Sequence, residues 1–322
     1  MPQPTSVLVI GCGISGLASA LRLQAAGYHV TIYTREPPSQ TTSNVAAALW
    51  YPYRCAPQEK VLAWSKVTFD ELMRQHAAGV PGVTPTTFIE LFDTDAPDPW
   101  WAAAVGGVTR QDREALPPGY VVGFSATVPV VETPRYLPYL VQRFETGGGV
   151  IVERQVSSLD EVGADYPLII NCTGLGARQL VNDPEVFPIR GQVVRVSNPG
   201  IRRALTDDEG PRRISYTIPR QTDVILGGTA LPNVWDTTPE TATTERVLRN
   251  CRELEPALAA AQVLETRVGL RPGRSAVRLE VERMRTAVVI HNYGHGGAGF
   301  TLAWGCADEV CRLAHLVLGQ WA

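Results

Sequence analysis

The feature that most constrains this chain lies in its first 36 residues. Val7-Leu8-Val9-Ile10 is a continuous apolar run that reads as a buried parallel strand. Gly11, Gly13 and Gly16 follow in the spacing G-x-G-x-x-G. A helical pattern then begins, with Leu17, Ala20, Leu21 and Leu23 near one face and Gly27 as its stop. His29 to Tyr33 makes a second strand. In such a βαβ unit Gly11 permits the turn out of the strand. Gly13 lets a pyrophosphate approach the backbone, and Gly16 lets helix and sheet pack closely. The helix start at Ile14 and Ser15 offers free N–H groups and a partial positive charge to the phosphates. Glu36, near the end of the second strand, is the spacing-based candidate for a ribose hydroxyl. Arg35 beside it is a second candidate for the adenosine. The unit alone leaves NAD and FAD both open.

Strand-like runs recur far downstream. Leu168 to Asn171 leads into Cys172-Thr173-Gly174, and Val288 to Asn292 leads into Tyr293-Gly294-His295-Gly296-Gly297-Ala298-Gly299. A helix is expected from Phe300 to about Leu318. Between these lie segments that alternate like antiparallel strands: 192–196, 215–218 and 223–226. Helices are expected over 60–79, 136–146 and 240–260, and a further strand over 150–156. The fold class is therefore α/β: a Rossmann-like dinucleotide-binding domain with an inserted mixed or antiparallel-sheet substrate domain. Residues 1–55, 137–186 and 262–322 are assigned to the first, and 56–136 and 187–261 to the second. The second glycine-rich helix start suits a cofactor that needs fixed charge at two ends, as FAD does.

Bulk properties exclude several classes. With 322 residues, 44% hydrophobic and 19% charged, the chain has the composition of an ordinary globular protein. A net charge of -3 gives no footprint for nucleic acid and no polybasic membrane anchor. No apolar run approaches the ~18 residues of a membrane span. Met1 to Ser6 lacks a basic leader region, so a cytoplasmic setting is expected. The six cysteines form no CxxC pair and no zinc spacing, so no metal is expected and buried thiols are.

Seven segments together resemble the D-amino acid oxidase and D-aspartate oxidase family along nearly the whole chain. They are VLVIGCGISGL at 7–17, TTSNVAAALWYPY at 41–53, LIINCTG at 168–174, RGQVVRV at 190–196, VILGGT at 224–229, VGLRPGRSAVRLE at 268–280 and HNYGHGGAGFTLAWGCA at 291–307. The last two are specific in combination. The resemblance implies non-covalent FAD and oxidative deamination of D-amino acids to 2-oxo acids, ammonia and hydrogen peroxide. It implies that Thr41, Thr42 and Ser43 contact the pyrophosphate and ribityl region, and that Ala47, Ala48 and Leu49 pass along the flavin. Val156, Thr173 and Gly174 are implied on the adenosine side. Gly296, Gly297, Gly299, Phe300 and Thr301 are implied around the pyrimidine edge. Arg271 matches the arginine that binds the substrate carboxylate, next to the flavin. Tyr216 matches the tyrosine that shares that carboxylate, and the Gly297 carbonyl matches the acceptor from the substrate amine. Hydride transfer to flavin N5, with no protein general base, is the implied reaction.

The segment from Thr206 to Tyr216 corresponds to an active-site lid and is shorter than in mammalian members. Arg212 stands where a second lid tyrosine is expected, and Tyr51 where glutamine is common. Arg212 or Arg213 facing the substrate would favour D-aspartate or D-glutamate. Gly297-Ala298-Gly299 fits neutral-substrate members better, so neutral or hydrophobic D-amino acids and molecular oxygen are the expected reactants. Oxidation of glycine or sarcosine is an alternative within the fold. An NAD(P)-dependent dehydrogenase and a flavin-binding protein without turnover are alternatives outside it. A homodimer is compatible with the sequence. The C-terminal Gly-Gln-Trp-Ala is not a peroxisomal address.

Overall fold

A computed structural model describes residues 5–319. The segments read for a leader (Met1 to Ser6) and for a C-terminal address lie largely outside that range.

Two sheets carry the chain. In the first the strand order is Arg278–Arg283, Val288–Tyr293, Leu168–Asn171, Ser6–Ile10, His29–Thr34 and Val150–Glu153. Five of these strands run parallel, and Arg278–Arg283 closes one edge antiparallel. The apolar run at 7–10 is continuous because the strand is buried on both faces. Val7 and Val9 join the core beneath the helices Ile14–Ala25, Thr133–Thr146 and Gly299–Gly319. Leu8 and Ile10 join the opposite core, with Leu159, Val162 and Ile169.

The second sheet is mainly antiparallel, in the order Leu231–Pro232, Phe187–Ser197, Asp223–Gly227, Ser215–Pro219, Arg203–Asp207, Val83–Phe92, Val122–Val131 and Thr109–Gln111. Its one parallel pair joins Val83–Phe92 to Arg203–Asp207. The long strand Val263–Gly273 pairs with Phe187–Ser197 along almost its full length.

Residues 263–273, expected with the first domain, thus pair into the second sheet. The helix Gln58–Ala77 lies against the C-terminal helix of the first layer, where Gly305 N–H donates to Thr68 Oγ1 at 3.0 Å. A β-carbon on Gly305 would stand 2.2 Å from the Trp64 carbonyl oxygen, so this contact is made backbone to backbone. The strand at 203–207 places Ala204 and Leu205 side by side and so shows no apolar alternation, whereas 278–283 alternates Leu279 and Val281 with charged residues as an edge strand does.

All six cysteines are free, and Cys12, Cys172, Cys251 and Cys306 are buried. Among the described residues no helix is long and apolar enough to cross a membrane.

Candidate active site

One cavity of about 920 Å³ runs from the N-terminal glycine turn to the face of the second sheet. Its size is at the upper end of the ~300–1,000 Å³ usual for small-molecule sites, which suits a long ligand with a second molecule at one end.

The first end is built mostly from backbone. Gly11 has φ +107°, and a β-carbon there would lie 2.5 Å from the Cys172 carbonyl oxygen. Only glycine fits that turn. Gly13 precedes the helix Ile14–Ala25 and, as glycine, offers no capping side chain of its own. One helix-start group, Ile14 N–H, donates to Ser43 Oγ at 3.0 Å. Ser43 thereby ties the loop after the second strand to the helix start. Thr41 and Thr42 line the same stretch, with hydroxyls donating to Pro38 O and Leu270 O. Arg35 and Glu36 sit at the rim, 3.4 Å apart, and both face the cavity. Val156, Thr173 and Gly174 form the wall beside them. Asn171 Oδ1 holds Thr173 by accepting from its N–H at 3.2 Å and its hydroxyl at 2.7 Å.

Ala47, Ala48 and Leu49 line the middle. Ala48 is held at φ +57°, an uncommon conformation for a residue with a β-carbon, and its carbonyl accepts from Val131 N–H at 2.9 Å. Opposite them stand Gly296, Gly297, Gly299 and Phe300, at the start of the helix Gly299–Gly319. Gly296 has φ +53° and donates its N–H to Pro272 O at 2.8 Å. That bond ties the glycine loop to the strand bearing Arg271.

The far end is built from side chains. Arg271 lies near the end of Val263–Gly273 and donates through Nη1 to Thr229 O at 2.9 Å. A β-carbon on Gly191 would stand 2.2 Å from Arg271 Nη1, so the guanidinium lies flat over that glycine. Tyr216 has the same relation to its cross-strand partner Gly227, where a β-carbon would stand 1.9 Å from the ring. Burial raises the Tyr216 phenol, and the adjacent Arg271 guanidinium pulls it back. The two side chains thus form one cationic hydrogen-bonding wall.

Three expected site residues stand elsewhere. Arg212 is turned away: its Nε donates to Glu253 at 2.8 Å, its Nη1 to Pro118 O at 3.1 Å, and its guanidinium lies over the Tyr120 ring. The cause is Asp207, whose buried carboxylate accepts from Gly210 N–H and Arg212 N–H and folds the lid into a tight turn. Thr301 is buried behind the cavity wall, where its hydroxyl accepts from Tyr51 N–H and donates to Tyr51 O. Gly16 also lies behind the wall. A β-carbon there would be 1.9 Å from Gly11 O, so it serves packing and does not touch the cavity. Tyr51 does line the cavity, with its hydroxyl turned toward Glu90 and Asp208.

Among the residues that shape this wall and escaped the sequence reading are Tyr53, Asp208 and Gly191, which line it, and Gly227, which lies behind Tyr216. Tyr53 abuts Gly297, and its buried hydroxyl has no hydrogen-bond partner within the protein. Asp208 lines the substrate end. Gly191 and Gly227 define the seats of Arg271 and Tyr216. The two glycines sit inside RGQVVRV and VILGGT, where an isolated glycine in a strand signals close approach of another group.

The chain matches the family model described as FAD dependent oxidoreductase over residues 6–313. It is 48% identical over 313 residues to a D-amino-acid oxidase from Rubrobacter xylanophilus, spanning 97% of this chain and 96% of that protein. It is 42% identical over 315 residues to a D-amino-acid oxidase from Streptomyces coelicolor, spanning 96% of each. A crystal structure of glycine oxidase from Bacillus cereus shares the fold, with a TM-score of 0.78 at 17% identity, covering 98% of this chain and 95% of that one. The glycine cradle, the two-sheet architecture and these likenesses agree, and the chain belongs to the D-amino acid oxidase branch of the FAD-dependent oxidoreductases.

Proposed function

We propose that this protein holds FAD non-covalently and oxidises D-amino acids to 2-oxo acids, ammonia and hydrogen peroxide. The observation that carries the reading is the Arg271–Tyr216 wall at one end of a cavity whose other end is a dinucleotide cradle. The cradle fits FAD because the glycines at 11 and 13, the helix start and Ser43 suit a pyrophosphate. The glycine loop at 296–299 gives a second backbone-lined approach for the flavin ring. Non-covalent binding is supported by the two thiols on the wall. Burial pushes Cys12 and Cys172 each up to about 12, so neither is a thiolate able to attach to the ring.

When bound, the flavin supplies the hydride acceptor at N5 and passes its electrons to oxygen. The chain supplies orientation. Arg271 holds the substrate carboxylate with its remaining guanidinium donors, and Tyr216 adds a hydroxyl. The Gly297 carbonyl accepts from the substrate amine. No side chain is required as a general base, so the protein contributes mainly positioning and fixed charge. His295, the imidazole on this wall, is buried and donates from Nε2 to Asn292 Oδ1 at 3.0 Å; burial lowers it to about 4, which keeps it neutral.

The geometry speaks against acidic substrates. Arg212 faces Glu253, and Arg213 lies near Glu209 at 3.8 Å, so neither offers a cation to a side-chain carboxylate. Ile214, Ile218, Tyr51 and Tyr53 give the substrate end apolar walls instead, which supports neutral and hydrophobic D-amino acids. The test is anaerobic mixing of the purified protein with D- and L-amino acids while the visible flavin band is followed. Bleaching by D-isomers alone is expected. A band that no D-amino acid bleaches would refute the reading. Acid precipitation is expected to release all flavin to the supernatant.

A further inference from the structure

Tyr51 Oη lies 2.6 Å from Glu90 Oε1 and 2.7 Å from Asp208 Oδ2. A phenol has one hydrogen to give, so it serves one carboxylate at a time. The other carboxyl must carry its own proton to bond the same oxygen. Glu90 is the buried member, set behind the wall with Trp101 Nε1–H donating to its second oxygen at 2.8 Å. Burial pushes Glu90 up to about 7 and also raises Asp208. Two arrangements satisfy every atom, and the deeper burial of Glu90 selects the one in which Glu90 donates to Tyr51 Oη and Tyr51 donates to Asp208. Asp208 Oδ1 also accepts from Thr206 at 3.2 Å. The negative charge therefore rests on Asp208, the member that lines the cavity.

No cation on the cavity wall is hydrogen-bonded to it; the Arg54 guanidinium, off that wall, favours its charged form through space. Arg54, the nearest candidate, is paired with Glu209. Among the described residues lining the substrate end, Arg271 is the sole cation, and it is assigned to the substrate carboxylate. The substrate's α-amine is assigned to the Gly297 carbonyl, which leaves Asp208 for the side chain. Gly297 abuts Tyr53, the Tyr53 and Tyr51 rings lie 6.0 Å apart between centroids, and Asp208 stands beyond them at the Tyr51 hydroxyl. Tyr53 and Tyr51 thus line the wall between the amine acceptor and the carboxylate, whose charge is felt at the Tyr53 hydroxyl as well. What reaches Asp208 is the end of a side chain several bonds long, running along the apolar faces of Tyr51, Tyr53 and Ile214.

We propose that Asp208 is a specificity residue of this site: it admits D-amino acids whose aliphatic side chain ends in a cation, such as D-lysine and D-ornithine, and bars those that end in a carboxylate. An aliphatic stem on apolar walls with its charge at a carboxylate is the arrangement that long basic side chains adopt in proteins. The inference rests on the oxidase reading above and refines its side-chain preference: short side chains stay on the apolar walls, and among long ones those ending in a cation are taken ahead of neutral ones of equal length.

The experiment compares isosteric pairs on the flavin-loaded enzyme: D-lysine with D-norleucine, D-ornithine with D-norvaline, and D-glutamate with D-glutamine. In the natural protein kcat/KM is expected to be higher for the basic member of the first two pairs and at least tenfold lower for D-glutamate than for D-glutamine. Asp208→Asn is expected to lower the D-lysine to D-norleucine ratio at least tenfold and to narrow the D-glutamate gap. An unchanged ratio overturns the proposal, as does equal loss on both members, which would make Asp208 only a support for Tyr51. D-norleucine exceeding D-lysine in the natural protein overturns it without any variant, so a misfolded Asp208→Asn leaves it testable. Failure of every D-amino acid to reduce the flavin would instead overturn the oxidase reading and this inference together, a result distinct from a wrong ranking.

Discussion

The two ends of the cavity are made by different means. At the dinucleotide end the chain offers backbone: a glycine turn, a helix start and one serine. At the substrate end it offers long side chains, Arg271, Tyr216, Tyr51 and Tyr53, each laid against a glycine or another ring. Backbone recognition is written in consecutive residues and tolerates little variation in the main chain. Side-chain recognition is written across strands that are far apart in sequence, and it depends on what is missing opposite each side chain. Removing a group should therefore have separable effects at the two ends: loss of turnover with flavin retained at one, loss of flavin affinity at the other.

The sharpest way to break that comparison is Arg271→Ala. It should cost about 2–5 kcal/mol in kcat/KM, the range for a desolvated charge pair that loses one partner. Flavin content after purification should stay the same. An equal fall in flavin content would mean that the two ends are not independent.

Gly191→Ala should come next. Its new β-carbon meets the far end of the Arg271 side chain, which can swing aside, so stability should change little. The displaced guanidinium should cost about 1–3 kcal/mol in kcat/KM, carried mainly by KM. A drop in melting temperature with normal KM would show that the strand, and not the arginine, bears the clash.

At the other end Ser43→Ala removes the acceptor for Ile14 N–H. A loss of about 0.5–1.5 kcal/mol in stability is expected. Flavin titration should show weaker binding, with kcat unchanged at saturating flavin. Unaltered affinity would mean that the helix start alone holds the pyrophosphate.

The smallest effect near neutral pH concerns His295. Its folded value is lowered to about 4 from an ordinary 6.5, so the unfolded chain binds a proton that the folded chain refuses. Its contribution is fully present above pH 6.5 and is lost as pH falls toward 4. Between pH 7 and 6 this amounts to under about 1 kcal/mol. Melting temperatures across that range, compared with His295→Gln, should show a shallower acid slope in the variant.

How much was legible follows from the same contrast. The strand, glycine turn, helix and second strand at 7–34 could be read directly because they are contiguous and each glycine has its own local reason. The resemblance carried Arg271 and Tyr216 to their positions, but not the reasons they fit, since Gly191 and Gly227 acquire meaning only once the ladders are paired. Tyr53 and Asp208 were unreadable as site residues for a similar cause. One faces the cavity because of Gly297, 244 residues later by the numbering of the two, and the other because Tyr51 holds it there. Arg212 was misplaced by position alone: nothing in the order of residues told that Asp207 would capture two backbone N–H groups and turn the arginine outward. The strand at 263–273 was not legible, because Glu265, Arg267 and Arg271 interrupt its apolar residues and only the paired ladder shows that it joins the second sheet.

The cavity wall is drawn from the whole length of the chain, from Ile10 to Phe300. Leu168–Asn171 lies beside Ser6–Ile10 and Val288–Tyr293 beside Leu168–Asn171, so the sheet beneath the cradle is incomplete until its last strand is present. A growing chain on the ribosome therefore has no place for its cofactor until nearly all of it has emerged. Truncated products, however long, should neither hold flavin nor release peroxide, and flavin uptake marks the finished protein.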